Sequence, residues 1–276
     1  MVFKEKYYDF AVTDFDGTIY NSKKEISPKT VEVIKKFIEK GGTFCVCTGR
    51  MTAGIIPFLH KYGLNTGYVI SYNGAEIANV ATGEKVYKNH VSTDNAVKVL
   101  QYAEKNGFDI LVYPNDKVTV EESNSEKEHY LFMSATKGQV LHSKVSEYML
   151  NNSLTTGKML FLTGGNEAVT KQIMSDLPDV IGKELDFVNS NKYHIDLMNS
   201  NVNKGSAIQA FAKMMGLDMD KLICFGDAMN DESMLKVAGL SVVVADGDER
   251  LKATCDVVTD ACDNDGVAKA MQKYCI

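Results

Sequence analysis

Apolar runs alternate along the first third of the chain with stretches whose apolar positions recur at helical spacing. YDFAVTD (8–14), TFCVCTGR (43–50) and GYVISYNGAEI (67–77) read as strands. They are nearly continuously apolar, as strands buried on both faces are, and lack the alternation of a half-solvated strand. Between the first two, Ser27-Pro28 offers an N-cap and a first-turn proline, Val31, Ile34 and Ile38 keep helical spacing, and Gly41-Gly42 marks the stop. A second helix is expected from Thr52 to Tyr62. The resulting βαβαβ pattern predicts a parallel, doubly wound sheet.

After Gly74 the texture changes. AEIANVATGEKVYKNH suggests a hairpin turning at Thr82-Gly83, followed by a helix from about Asp94 to Asn106 and strand-like ILVYP and KVTVEE. A polar, helix-compatible stretch covers Lys127 to Thr136; KMLFLTG, a helix from Glu167 to Leu177 and LDFVNS close this region. Such a mixture implies an α+β module. From Asn203 the first texture returns, with helix KGSAIQAFAKMMG, strand KLICFGD, helix DESMLKVAG, strand LSVVVA, a short helix, strand DVVT and a last helix from Gly266. The parallel sheet is therefore interrupted by an insertion. The expected division is a discontinuous core, 1–84 and 192–276, around an α+β domain, 85–191.

Composition narrows the function classes. The 276 residues suit two domains, and a net charge of −6 argues against the basic stripe that nucleic acid requires. No apolar run approaches membrane-spanning length, and MVFKEKYYDF carries charges where a secretory leader has its apolar core, so a cytoplasmic protein is expected. Among the six cysteines, Cys45, Cys47 and Cys224 lie inside apolar runs and read as buried free thiols. Met214-Met215 reads as core filling, and His129, His142 and His194 as scattered surface or core histidines.

Four segments fall where strands of the parallel sheet should end, the edge at which open α/β sheets bind ligands. They are Asp14-Phe15-Asp16-Gly17-Thr18, Thr48-Gly49-Arg50, Asn203-Lys204-Gly205 and Gly226-Asp227-Ala228-Met229-Asn230-Asp231. Two carboxylates two residues apart need a shared proton or a cation to coexist. Carboxylates, a hydroxyl, a lysine and an amide together suit Mg²⁺ and a phosphoryl group. Taken singly, each has a plainer reading: a strand-end turn for the Asp14 segment, a solvated helix lysine for Lys204, an N-cap for Thr48, a helix N-terminal charge for Asp231 and a turn former for Asn73.

In this order, with an α/β insertion between the second and third, the segments resemble motifs I to IV of the haloacid dehalogenase superfamily, and more narrowly its Cof-like sugar-phosphatase branch. ISYNGAEI, YHIDLMNSNVNKGSAI and NDGVAKAM strengthen the likeness, while VADGDE (244–249) stands where that branch usually carries a glycine-asparagine-alanine turn. The resemblance implies a Rossmann-like doubly wound parallel sheet core with an inserted α+β cap domain. It further implies a Mg²⁺-dependent phosphatase acting on small phosphorylated metabolites, sugar phosphates foremost, without nucleic-acid or membrane partners. Carried over by residue, Asp14 resembles the nucleophile that becomes an aspartyl-phosphate and Asp16 the general acid and base. Phe15, Thr48, Gly49, Lys204 and Asn230 match the phosphate site; Asp14, Asp16 (through its carbonyl), Asp227 and Asp231 match the metal site; Arg50 and Asn73 lie at the substrate entrance. A phosphosugar mutase of the same fold competes with this reading, and a phosphate-sensing regulator competes more weakly.

Overall fold

The computed structural model describes residues 7–121, 127–128, 130 and 138–276. The chain divides into two compact units, Met1–Tyr87 with Asn203–Ile276, and Lys88–Val202. Residues 192–202, expected in the core, lie in the second unit, because His194–Asn199 forms a strand that pairs with both Met159–Leu162 and Leu185–Asn191. His129 and most of the expected 127–136 helix lie outside the described residues. Among the described residues no helix is long and apolar enough to cross a membrane.

The first unit is built on β1 (Phe10–Thr13), β2 (Thr43–Cys47), β3 (Tyr68–Ser71), β4 (Glu76–Asn79) and β5 (Lys85–Lys88) from the first segment. Its sheet is completed by β12 (Leu222–Gly226), β13 (Leu240–Val243) and β14 (Val257–Val258). The order is β14-β13-β12-β1-β2-β3-β4-β5. From β14 to β3 every pairing is parallel; β4 then returns antiparallel beside β3. The predicted hairpin therefore extends the edge of the parallel sheet and does not open the insertion. β1 lies between β2 and β12, so strand order reverses there, at the ligand-binding edge of a doubly wound sheet.

Alternate residues of these strands feed two cores. Ala11, Val46, Val69, Phe225 and Val242 face one side, packed by α1 (Pro28–Glu39), α2 (Thr52–Lys61) and the last helix (Gly266–Tyr274). Phe10, Val12, Cys45, Cys47, Ile70 and Cys224 face the other, where Ala207, Ile208, Phe211 and Ala212 of the helix Lys204–Met215 cover them. Both faces being covered is the reason the strand sequences show no alternation. All six cysteines are free thiols. Ser27 caps α1 by accepting from the Thr30 amide at 3.1 Å, with Pro28 in its first turn. Thr48 does not cap α2: the residue at that position is Met51, and the Thr48 hydroxyl instead accepts from the Arg50 amide at 3.1 Å.

The second unit has its own sheet, in the order β10-β11-β9-β6-β7-β8, from β6 (Asp109–Val112), β7 (Thr119–Val120), β8 (Gln139–Val140), β9 (Met159–Leu162), β10 (Leu185–Asn191) and β11 (His194–Asn199). Its pairings are antiparallel except β7 with β8. α3 (Thr93–Asn106), α4 (Val145–Asn151) and α5 (Glu167–Ile181) pack one face around Phe161 and Val112. The sequence places the end of α5 at Leu177, before Pro178, yet the helix continues to Ile181. Leu177 and Ile181 are both buried in this core, and their burial offsets the hydrogen bond that a proline nitrogen cannot make.

The helix Lys204–Met215 is α6. Asn203 caps it reciprocally with Ser206, its side chain accepting from the Ser206 amide at 2.9 Å and its amide donating to the Ser206 hydroxyl at 3.1 Å. Gly216 ends it in the left-handed conformation. Met214 and Met215, expected in the core, are 47% and 44% exposed, because the buried stripe of α6 ends at Ala212. Phe211 holds the helix to the sheet, its ring 6.0 Å from Phe10 and 4.7 Å from Tyr68. Phe211→Ala should lower the unfolding free energy by about 3–5 kcal/mol, measurable by urea denaturation, with the loss set by the cavity it leaves.

Candidate active site

β1 delivers Asp14 to the point where strand order reverses. The Asp14 amide donates to the Phe225 carbonyl of β12 at 2.8 Å, which draws the turn after β1 toward the end of β12. Gly17, with φ +83°, lets that turn fold against Asp227; a Cβ there would lie 2.7 Å from Asp227 Oδ2. The Thr18 hydroxyl donates to the other oxygen, Oδ1, at 2.8 Å. Sequence reasoning gave Thr18 no role, although its place after the glycine of a strand-end turn is the available signal.

On the far side, a single turn (Met229–Asp231) folds Asp231 back so that its Oδ2 accepts from the amides of Asp227 at 2.9 Å and Ala228 at 3.0 Å. Its Oδ1 accepts from Lys204 Nζ at 2.6 Å, and the same ammonium donates to Asp14 Oδ1. Lys204 is 1% exposed and Asp231 0%, so a full ammonium is enclosed at the first turn of α6. Burial alone would lower the Lys204 pKa, but the charges of Asp14 and Asp231 more than reverse this and hold it well above its usual value.

Asp14 moves in the opposite sense. Burial raises its pKa well above the carboxylate range, the attraction of Lys204 offsets only part of that, and the charges of Asp231 and Asp227 add to it. Asp227 is raised as well, chiefly by burial and against the Thr18 hydrogen bond. Carboxylate oxygens of Asp14, Asp227 and Asp231 all lie within 4.8 Å of one another. Two acidic side chains therefore hold one ammonium with a third close by, and the hard-oxygen set with unbalanced negative charge fits a divalent cation. Asp231 already directs both oxygens to Lys204 and the two amides, which leaves Asp14 and Asp227 as the side chains with capacity to spare.

Asp16 stands apart from this group. Its carboxylate makes a two-pronged pair with Arg50, Nε to Oδ2 at 2.8 Å and Nη2 to Oδ1 at 2.5 Å, and both side chains are partly exposed. The Arg50 guanidinium lies 4.8 Å from the centre of the Phe15 ring and 5.4 Å from that of Tyr20, two rings stacked on each other. Thr48 is buried, and its carbonyl accepts from the Asn73 amide at 3.0 Å. The Asn73 side chain covers Gly49, where a Cβ would be 3.1 Å from its Oδ1. Asn230 is exposed on the Met229–Asp231 turn. The structure thus gathers Asp14, Lys204, Asp227 and Asp231 into one cluster and sets Asp16 with Arg50 beside Phe15. Thr48, Gly49 and Asn73 form a third contact group. Outside all three, His142 is exposed, and His194 is half-buried with its pKa lowered by that burial.

The family model for haloacid dehalogenase-like hydrolases matches residues 11–271, which contain all four segments and the insertion between them. The chain belongs to this family. It is 25% identical over 269 residues to the HMP-PP phosphatase of Serratia proteamaculans, an alignment covering 97% of this chain and 95% of the relative. A haloacid dehalogenase-like hydrolase from Bacteroides thetaiotaomicron, of known crystal structure, is 27% identical with a TM-score of 0.87 over 96% of this chain and 99% of that one. A sugar phosphatase described as subclass IIB of the superfamily shares the fold at 22% identity, with a TM-score of 0.78 over 96% of this chain and 98% of its own. Membership and phosphatase kinship along nearly the whole length make this haloacid dehalogenase-like hydrolase an enzyme of the phosphatase type, with a small phosphorylated substrate.

The two ion-pair systems should respond differently to truncation. Asp231→Ala removes one of the two carboxylates that hold the buried Lys204 ammonium and takes the acceptor from two amides, and should lower stability by about 3–5 kcal/mol in urea unfolding. Arg50→Ala breaks a partly exposed pair and should change stability by no more than about 1 kcal/mol.

Proposed function

We propose that the chain is a Mg²⁺-dependent phosphatase of small phosphorylated metabolites, sugar phosphates foremost, working through an aspartyl-phosphate on Asp14. The observation that carries this reading is the contrast in burial and partners between two aspartates of one turn. Asp14 is buried and tied through one oxygen to Lys204, whereas Asp16 presents its carboxylate at the exposed rim. A nucleophile gains from a fixed, desolvated position, and a group that exchanges protons with water gains from exposure.

In the first step the Asp14 oxygen that Lys204 does not hold attacks phosphorus, the ester P–O bond breaks, and Asp16 donates a proton to the leaving alkoxide. In the second, Asp16 takes a proton from water, whose oxygen attacks phosphorus, and the bond to Asp14 breaks to release phosphate. Lys204, the Thr48 hydroxyl, the backbone at Phe15 and Gly49, and the Asn230 amide are assigned to the phosphoryl oxygens. Charge neutralisation of this kind dominates phosphoryl transfer. Asp14, Asp227 and the Asp16 carbonyl are assigned to Mg²⁺, with Asp231 as the outer carboxylate that orients the ion or its waters; the ion when bound would supply the positive charge that lets a phosphoryl group approach the carboxylates. Arg50 and Asn73 are assigned to the substrate entrance. A cytoplasmic setting belongs to the same reading, supported by six unpaired thiols, five of them buried.

A panel of sugar phosphates, HMP-PP and an aryl phosphate, assayed for phosphate release with Mg²⁺ and with a chelator, tests the proposal directly. Activity on sugar phosphates that vanishes on chelation and returns with Mg²⁺ is expected; unchanged turnover in metal-free buffer would sink it. Asp14→Asn should reduce turnover by orders of magnitude in a folded protein. Asp16→Asn should slow alkyl phosphates by about 10²- to 10⁴-fold and give, with an aryl phosphate, a burst of phenol followed by a slow phase.

The pH dependence has a definite sign. Because burial raises the Asp14 and Asp227 pKa values, the metal-free protein holds protons there that the unfolded chain has already lost. That contribution to stability is present at low pH and is lost as pH rises through the raised values. Mg²⁺ competes with the same protons, so its thermal stabilisation of the protein should shrink as pH is lowered from about 8 to about 5.

A further inference from the structure

The loop Val244–Glu249, where the sequence departs from the turn usual in its family, lies directly against the main chain of Asp227. The Asp248 amide donates to the Asp227 carbonyl at 2.7 Å. Gly247 approaches so closely that a Cβ on it would lie 3.0 Å from the Asp227 carbonyl oxygen, 3.1 Å from its Cα and 2.9 Å from Val243 Cγ1. The loop is braced on its other side. The Val244 amide donates to the Gly226 carbonyl at 3.2 Å, and Lys252 Nζ donates to the Ala245 carbonyl at 2.9 Å. The Asp248 carboxylate caps the short helix Glu249–Lys252, accepting from the Arg250 amide at 2.9 Å and from two nitrogens of its guanidinium.

Asp227 is thereby held at three points: its amide by Asp231, its carboxylate by Thr18 and its carbonyl by Asp248. Two of these partners belong to segments already assigned to the site; the third does not. We propose that the Gly247–Asp248 peptide is a positioning element for the cation ligand Asp227, fixing the plane of its main chain so that the carboxylate meets the ion without reorganisation. This rests on the assignment of Asp227 to a divalent cation. Asp248 touches neither ion nor substrate and acts only through Asp227, as outer partners of metal ligands do.

The backbone of Asp248, φ −60° and ψ 130°, is one that proline adopts, so Asp248→Pro removes the donor while keeping the path of the chain. Asp248→Asn retains both the amide and a capping side chain. Mg²⁺ binding by the chelator-stripped full chain, followed by titration calorimetry, compares these with wild type and with Gly247→Ala, whose added methyl presses on Asp227. Asp248→Pro and Gly247→Ala should bind Mg²⁺ about 10- to 100-fold more weakly, and Asp248→Asn within about twofold of wild type. Circular dichroism establishes folding, and Gly247→Ala decides the matter if the proline variant does not fold. Wild-type affinity in the folded variant, or equal weakening in Asp248→Asn, overturns the positioning role while leaving the cation assignment standing. A wild-type chain that binds no Mg²⁺ overturns the cation assignment itself and the positioning role with it.

Discussion

An ammonium enclosed between two carboxylates, with a third close by, is the constraint on which the rest of this molecule depends. Lys204 is all but inaccessible to water and bonds to Asp14 and Asp231. Enclosing charge in this way is expensive unless every partner is in place, because the desolvation of each ion must be recovered from its neighbours. The fold meets that demand with backbone. Amides of Asp227 and Ala228 satisfy the second oxygen of Asp231, the Thr18 hydroxyl satisfies Asp227, and the cap made by Asn203 and Ser206 sets the start of the helix that delivers Lys204. One positive charge still does not balance three negative ones, and the raised pKa values of Asp14 and Asp227 express that imbalance.

The same imbalance explains why neighbouring aspartates of one turn are treated so differently. Asp14 is drawn inward by the hydrogen bond of its amide to β12 and by Lys204. Asp16, two residues later, is drawn outward by Arg50, whose guanidinium rests against Phe15 and Tyr20. A rigid aromatic support under a two-pronged pair limits the orientations open to the carboxylate more than a solvated lysine could. The geometry separates a buried carboxylate tied to an ammonium from a partly exposed one tied to a guanidinium.

Much of the architecture was legible in the chain because each parallel strand is covered on both faces and so announces itself as an unbroken apolar run. β1, β2, β3, β12 and β13 were visible for that reason, and α1 through its periodicity and caps. What escaped was decided by partners distant in sequence. The hairpin Glu76–Lys88 carries no mark showing that it extends the parallel sheet, and His194–Asn199 reads as an approach to Lys204 until its pairing with β9 and β10 is known. The end of α5 was misplaced because burial of Ile181 outweighs a local proline signal, and Met214 and Met215 because apolar spacing does not reveal where a sheet stops.

The four segments, their acidic and polar residue types and the family kinship they imply were legible in the sequence alone, since residue type and spacing carry that information, although only three of them follow strands of the parallel sheet and Asn203-Lys204-Gly205 opens a helix instead. Which carboxylate would be buried, which would face solvent and which would spend both oxygens on structure was not. Those outcomes depend on contacts across 190 residues between Asp14 and Lys204 and 209 between Thr18 and Asp227. The pull of the Gly247–Asp248 peptide on Asp227 belongs to the same class. A side chain's charge is written in the chain, but its desolvation and its neighbours exist only once the strands have been brought side by side.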